Sequence, residues 1–121
     1  MATALFAASA YAGPYPDISL KDVKAAVDAK SAVIIDVNGP ASYKAGHVPG
    51  ALSWGDIRNN LATSLPADKN TLIIAYCGNS KCGAYAAAAG AAMKLGYTNV
   101  KHMSAGISGW KGAKMPTEPG K

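Results

Sequence analysis

Cys77 and Cys82 are the only thiols in the chain, and they bracket Gly78, Asn79, Ser80 and Lys81. Small and polar residues in such a stretch let the backbone curl tightly with its N–H groups inward, the shape of an anion nest. A helix starting after the loop would add unpaired N–H groups and the positive end of its dipole, and both favour a thiolate at Cys77. The chemistry expected of it is nucleophilic. The plainer reading is an inert core cysteine at a strand end, and the loop that follows argues against it. Two histidines, His47 and His102, lie far apart in sequence. His47 could serve as a general base, but a histidine that holds a loop through backbone hydrogen bonds is the better reading. His102 reads as an exposed or packed residue.

Elements must hold these groups in place. Residues 72–76, Leu-Ile-Ile-Ala-Tyr, form a short uncharged run of the kind a strand covered on both faces requires. From Gly83 to Leu95 the chain is alanine-rich, with Lys94 near the end and Gly96 as a stop, so a helix follows the loop. Upstream, Ser19 is placed to cap a helix whose apolar Leu20, Val23, Ala26 and Val27 recur at helical spacing. Ala32-Val33-Ile34-Ile35 is a second buried strand ending in Asp36, and Pro40 opens a short helix through Lys44. After a turn at Gly46-His47-Val48-Pro49-Gly50, residues 51–54 are extended and residues 56–63 helical and polar. Residues 99–103 alternate like an outer strand, and Gly106 starts a last short helix through Trp110. The tail from Pro116, rich in Pro, Gly and Lys, is expected to be poorly ordered.

Alternating strands and helices imply an α/β domain with a largely parallel sheet and helices on both faces. Reactive groups in such sheets gather at the carboxyl ends of the strands, so Asp36 and Cys77 should share one rim. With 121 residues the chain fits one domain.

Composition excludes several classes. No apolar run approaches the roughly 20 residues that span a bilayer, so no membrane association is expected. Two cysteines at this spacing are no disulfide framework, and the histidines offer no metal-site spacing; neither a metal nor an organic cofactor is implied. The net charge is +5, and no carboxylate lies between Asp68 and Glu118, an interval that holds the Cys77 loop and six lysines. That field would attract small anions, although a merely solvated lysine surface is the plainer account. Arg58 is the only arginine, so nucleic acid is a poor partner. Residues 2–12 are small and apolar and end in Ala10-Tyr11-Ala12, the small-x-small form of an export cleavage site. We read residues 1–12 as a truncated signal peptide, with an N-terminal arm as the other reading; the first points to a periplasmic or secreted protein, the second to a cytoplasmic one.

Taken in order, Ile34-Ile35-Asp36-Val37 with Tyr43, Gly46-His47-Val48-Pro49-Gly50-Ala51, Tyr76-Cys77, Leu95-Gly96-Tyr97 and Gly106-Ile107-x-Gly109-Trp110 resemble the successive signatures of the rhodanese family of sulfurtransferases. Each is weak alone and specific as an ordered set. The resemblance runs from about Ile18 to about Trp110 and implies a rhodanese-like three-layer α/β domain, whose bounds we set at residues 13–115, with 116–121 left as the flexible tail that composition suggests. It implies a Cys77 persulfide that takes sulfane sulfur from a small anionic donor, thiosulfate or polysulfide, and passes it to a thiol, to cyanide or to a sulfur-accepting protein. Gly78, Asn79, Ser80, Lys81, Cys82 and Gly83 would then bind the anion.

Position 83 is glycine where the related dual-specificity phosphatases carry the arginine of Cys-x5-Arg, which weakens a phosphoryl-transfer reading. Two features depart from the family pattern. Asn38 stands where many members have arginine, and Arg58 is the candidate substitute. Cys82 makes a Cys-x4-Cys pair; it is a packing residue, a resolving thiol or the partner in a regulatory disulfide. Two other functions therefore stand beside turnover: a sulfur-carrier or binding module, and a thiol redox protein working through a Cys77–Cys82 disulfide. Asp36, His47 and Trp110 read as scaffold.

Overall fold

The uncharged runs at residues 32–35 and 72–76 become the two central strands of a parallel sheet. The computed structural model describes residues 15–120. Its elements are α1 (Leu20–Ala29), β1 (Ala32–Asp36), α2 (Pro40–Ala45), β2 (Leu52–Ser53), α3 (Trp54–Ile57), α4 (Leu61–Ser64), β3 (Leu72–Tyr76), α5 (Tyr85–Lys94), β4 (Val100–His102) and α6 (Gly106–Gly112). Among the described residues the sheet has four strands in the order β2-β1-β3-β4, every pair parallel. Register pairs Ala32 with Leu72 and runs to Asp36 with Tyr76, so both strands end level.

Side chains of a strand alternate between faces, and here both faces are covered. Ile35, Ile73 and Ala75 face a core built from Ala88, Ala89 and Ala92 of α5 with Ile57 and Leu61. Ile34, Ile74 and Tyr76 face Val23 and Ala26 of α1, Tyr43 of α2, and Ile107 and Trp110 of α6. The result is a three-layer α/β domain. The alanines of α5 have a structural reason: Ala88, Ala89 and Ala92 have no accessible surface, so the helix backbone lies close against the sheet. Gly96, with φ +100°, closes that end. At the start of α1 the Ser19 hydroxyl accepts the Asp22 N–H at 3.0 Å, the expected cap.

Three expectations need correction. Helix α5 starts at Tyr85 rather than Gly83, because turns at Ser80–Lys81 and at Ala84 precede it. The polar segment 56–63 is two single turns, α3 and α4, separated at Arg58–Asn60 rather than one helix. The segment after Pro116 is tied down. Trp110 Nε1 donates to Pro116 O at 2.6 Å, and His47 and Glu118 exchange backbone hydrogen bonds of 3.0 and 2.9 Å. Gly50 N donates to Glu118 Oε2, and Gly120 N to Lys44 O. Composition hides this because the segment satisfies backbone groups of residues 44–50 that no side-chain pattern reveals. The leader read at residues 2–12 lies outside the described residues. Among the described residues no helix is long and apolar enough to cross a membrane.

Candidate active site

Tyr76 ends β3 with no accessible surface, and its hydroxyl donates to Asp36 Oδ2 at 2.7 Å while accepting the Val48 N–H at 3.1 Å. Burial, then the hydrogen bond to Asp36 and its charge, raise the phenol well above its ordinary range, so it stays a donor. Asp36 Oδ1 takes the Asn38 N–H at 2.7 Å, and Val37 N donates to Tyr76 O. One carboxylate thus binds the ends of both central strands and, through the phenol, the loop before β2. Asp36 and Cys77 share the rim, and Asp36 acts as scaffold.

Cys77 follows directly, and it too has no accessible surface. Its Sγ accepts the Tyr85 N–H at 3.0 Å, with the Ala84 N–H as a further donor. These are the orphan groups of the first turn of α5, aimed at sulfur. The loop backbone is pinned from the other side by α6: Ile107 N donates to Cys77 O at 3.0 Å and Ser108 N to Gly78 O at 2.9 Å. Such closeness needs Gly106, with φ +67°. A Cβ there would stand 2.6 Å from both the carbonyl carbon and oxygen of Gly78 and 2.7 Å from Asn79 N.

The loop does not direct all its own N–H groups inward, as its composition suggested. Lys81 N is held by Asn79 Oδ1 at 2.9 Å and Cys82 N by Asn79 O at 3.2 Å, so both close the turn. Gly78 N–H reaches the Cys82 sulfur instead. The donors on Cys77 come from Ala84 and Tyr85, beyond residues 78–83. The expected helix start was their only sequence signal, since a backbone N–H carries no side-chain signature.

Ionisation is also distributed differently than expected. Burial, and then the hydrogen bond to Cys82, push the Cys77 thiol up to about 12, against the N–H groups of Tyr85 and Ala84. At Cys82, which is partly exposed, burial likewise opposes ionisation, but the Cys77 thiol and the N–H groups of Ala84 and Gly78 outweigh it and lower its value. Their interaction favours the thiolate at Cys82 and opposes it at Cys77. Both thiols are free.

The remaining candidates separate. His47 is buried in a parallel stack on Tyr43, ring centroids 3.7 Å apart, with Nδ1 2.8 Å from Tyr43 O and Nε2 3.3 Å from Glu118 Oε2; it clamps its loop. His102 is packed rather than exposed, stacked on the Tyr85 ring at 3.4 Å, beside the residue whose N–H reaches Cys77. Trp110 is fully buried scaffold. Arg58 is exposed after α3, and among the described residues its side chain makes no hydrogen bond or ion pair. Ser80 and Gly83 are exposed on the loop. Asn38 reaches the loop: its Oδ1 lies 3.5 Å from where a Gly78 Cβ would stand, and its buried Nδ2 has no hydrogen-bond partner among the described residues. Among the described residues no three His, Cys, Asp or Glu side chains are grouped to hold a metal.

A three-layer parallel α/β domain with a cysteine between a buried strand and a helix start defines a class of cysteine-loop domains. The chain belongs to one family of that class: the rhodanese-like domain matches residues 19–113. It is similar to the thiosulfate sulfurtransferase GlpE of Pseudoalteromonas translucida, 32% identical over 101 residues that cover 82% of this chain and 91% of that protein. GlpE of Pseudomonas entomophila is 33% identical over 91 residues, 71% of this chain and 76% of that one. Among solved structures, a Bacillus halodurans protein superposes with a TM-score of 0.73 at 25% identity, covering 87% of this chain and 77% of that chain. A rhodanese-related protein from Thermoplasma volcanium gives 0.67 at 19% identity, covering 86% and 98%.

Proposed function

We propose that this chain is a sulfurtransferase that carries sulfane sulfur as a persulfide on Cys77. The observation that carries the reading is the Cys77 sulfur at the end of β3, held at 3.0 Å by the Tyr85 N–H at the start of α5. The kinship with thiosulfate sulfurtransferases supports it. With thiosulfate as donor, the Cys77 thiolate attacks the outer sulfur. The new S–S bond forms as the bond to the sulfonate sulfur breaks, and sulfite leaves with the electron pair. A nucleophilic acceptor, cyanide or a thiol, then takes the outer sulfur and returns the thiolate. The N–H groups of Ala84 and Tyr85 lie where they stabilise negative sulfur in both steps. The carboxylate-free interval from Lys69 to Thr117 supports a small anionic donor, thiosulfate or polysulfide.

The test is intact mass spectrometry of wild type, Cys77→Ser and Cys82→Ser after exposure to thiosulfate and, separately, to polysulfide. The expected result is one added sulfur, removable by cyanide, on Cys82→Ser, which keeps Cys77 alone, and none on Cys77→Ser. Sulfur gained by Cys77→Ser, or by no variant, overturns the reading.

A further inference from the structure

The contact between the two thiols assigns a role to the second one. We propose that Cys82 is a resolving thiol that attacks the Cys77 persulfide at its inner sulfur, releasing hydrosulfide and leaving a Cys77–Cys82 disulfide. This rests on the persulfide reading above and adds to it a second outlet for the carried sulfur, reductive release rather than transfer to an outside acceptor.

The geometry supplies the attack. Cys82 packs against the core cluster to which Cys77 belongs, near enough for each side chain to act on the other's ionisation. Cys82 N closes a turn on Asn79 O at 3.2 Å, which turns the chain between the two cysteines back on itself. Cys77 has no accessible surface, whereas Cys82 is partly exposed and packs against the same core cluster. An external thiol must therefore enter a closed loop to reach the inner sulfur, while Cys82 is already there. The Cys82 thiol gives its proton to the outer sulfur of the persulfide and attacks as the thiolate.

The step balances. The Cys82 sulfur forms a bond to Cys77 Sγ, the bond from Sγ to the outer sulfur breaks, and the outer sulfur takes the electron pair. The proton of the Cys82 thiol ends on the departing sulfur, so a persulfide anion and a thiol give a disulfide and HS⁻. The two cysteines are oxidised together by two electrons, and the sulfane sulfur is reduced by two. The choice of inner over outer sulfur follows from the leaving groups, because attack at the inner sulfur expels hydrosulfide, a weaker base than the buried Cys77 thiolate, and the weaker base leaves faster. A dithiol reductant, protein or small molecule, returns the pair to two thiols and closes the cycle.

The experiment loads reduced protein with polysulfide anaerobically on ice, removes the excess by desalting, then warms it with no added thiol. Hydrosulfide and intact mass are followed for wild type, Cys82→Ser, Cys82→Ala and Cys77→Ser. Wild type is expected to release about one hydrosulfide per loaded chain and to end two hydrogens lighter than the reduced protein, with Cys77 and Cys82 joined in the peptide map. Loaded Cys82→Ser and Cys82→Ala are expected to keep their sulfur until cyanide removes it. A wild-type persulfide that lasts as long as those of the Cys82 variants, or a disulfide formed without matching hydrosulfide, overturns the inference and leaves the persulfide reading standing. Failure of every chain to gain sulfur overturns the persulfide reading itself.

Discussion

Gly106 on α6 lies against the carbonyl of Gly78, with no room between them for a methyl group: a Cβ would stand 2.6 Å from the Gly78 carbonyl carbon and oxygen. The loop after Cys77 is thus supported by a helix almost thirty residues further on.

Gly106→Ala forces this contact apart and places alanine at φ +67°. The expected cost is about 2 kcal/mol or more of stability. Loss of sulfur loading should accompany it, because Ile107 N and Ser108 N hold the carbonyls of Cys77 and Gly78. Urea unfolding and persulfide yield measured on the same sample check both.

Tyr76→Phe removes the hydroxyl between Asp36 Oδ2 and Val48 N and leaves a buried acceptor and donor without it. A loss of roughly 1–3 kcal/mol is expected. Thermal or denaturant unfolding measures it, and Asp36→Asn, which keeps an acceptor, should cost less than Asp36→Ala.

The thiols should react in a set order. Cys82 lies below its ordinary value and Cys77 is pushed up to about 12. As pH rises, alkylation by iodoacetamide should therefore appear at Cys82 before Cys77. In Cys82→Ser the charge beside Cys77 is gone and a hydroxyl donor takes its place, so Cys77 should titrate lower. Alkylation rate against pH, read by peptide mapping, decides it.

His102 gives the fold an acid-side sensitivity. Burial depresses it below 6.5, with Asp17 opposing. The unfolded chain then binds the proton more readily, so stability contributed by neutral His102 is full above about 6.5 and is lost as pH falls through that value and the lower folded one. The urea midpoint should drop on acidification through this window in wild type and drop less in His102→Phe, whose ring can still stack on Tyr85.

Removing residues 118–121 deletes the backbone pair between His47 and Glu118 and the bond from Gly50 N to Glu118 Oε2. Truncation should speed amide exchange at His47 and Gly50 and cost about 1–2 kcal/mol. Unchanged exchange there would mean that the segment does not hold the loop in solution.

The layered fold was legible because its signals are local. The uncharged run at residues 72–76 requires two covered faces, and Ser19 marks a helix end through its hydroxyl as Pro40 and Gly96 do through their backbone geometry. Less was legible where a short segment answers to distant partners. The break at Arg58–Asn60 interrupts a pattern that reads as helical, and the segment after Pro116 was hidden by a composition usually found in free tails.

By itself the amino-acid sequence determined an α/β domain with a thiol between a buried strand and an alanine-rich helix, since hydrophobic periodicity and capping act over a few neighbouring residues. Only the tertiary structure decided which N–H groups face the sulfur and which thiol ionises first. Those depend on burial and on backbone donors of Ala84 and Tyr85, a property every residue but proline has, so their direction comes from how the chain is folded around Cys77.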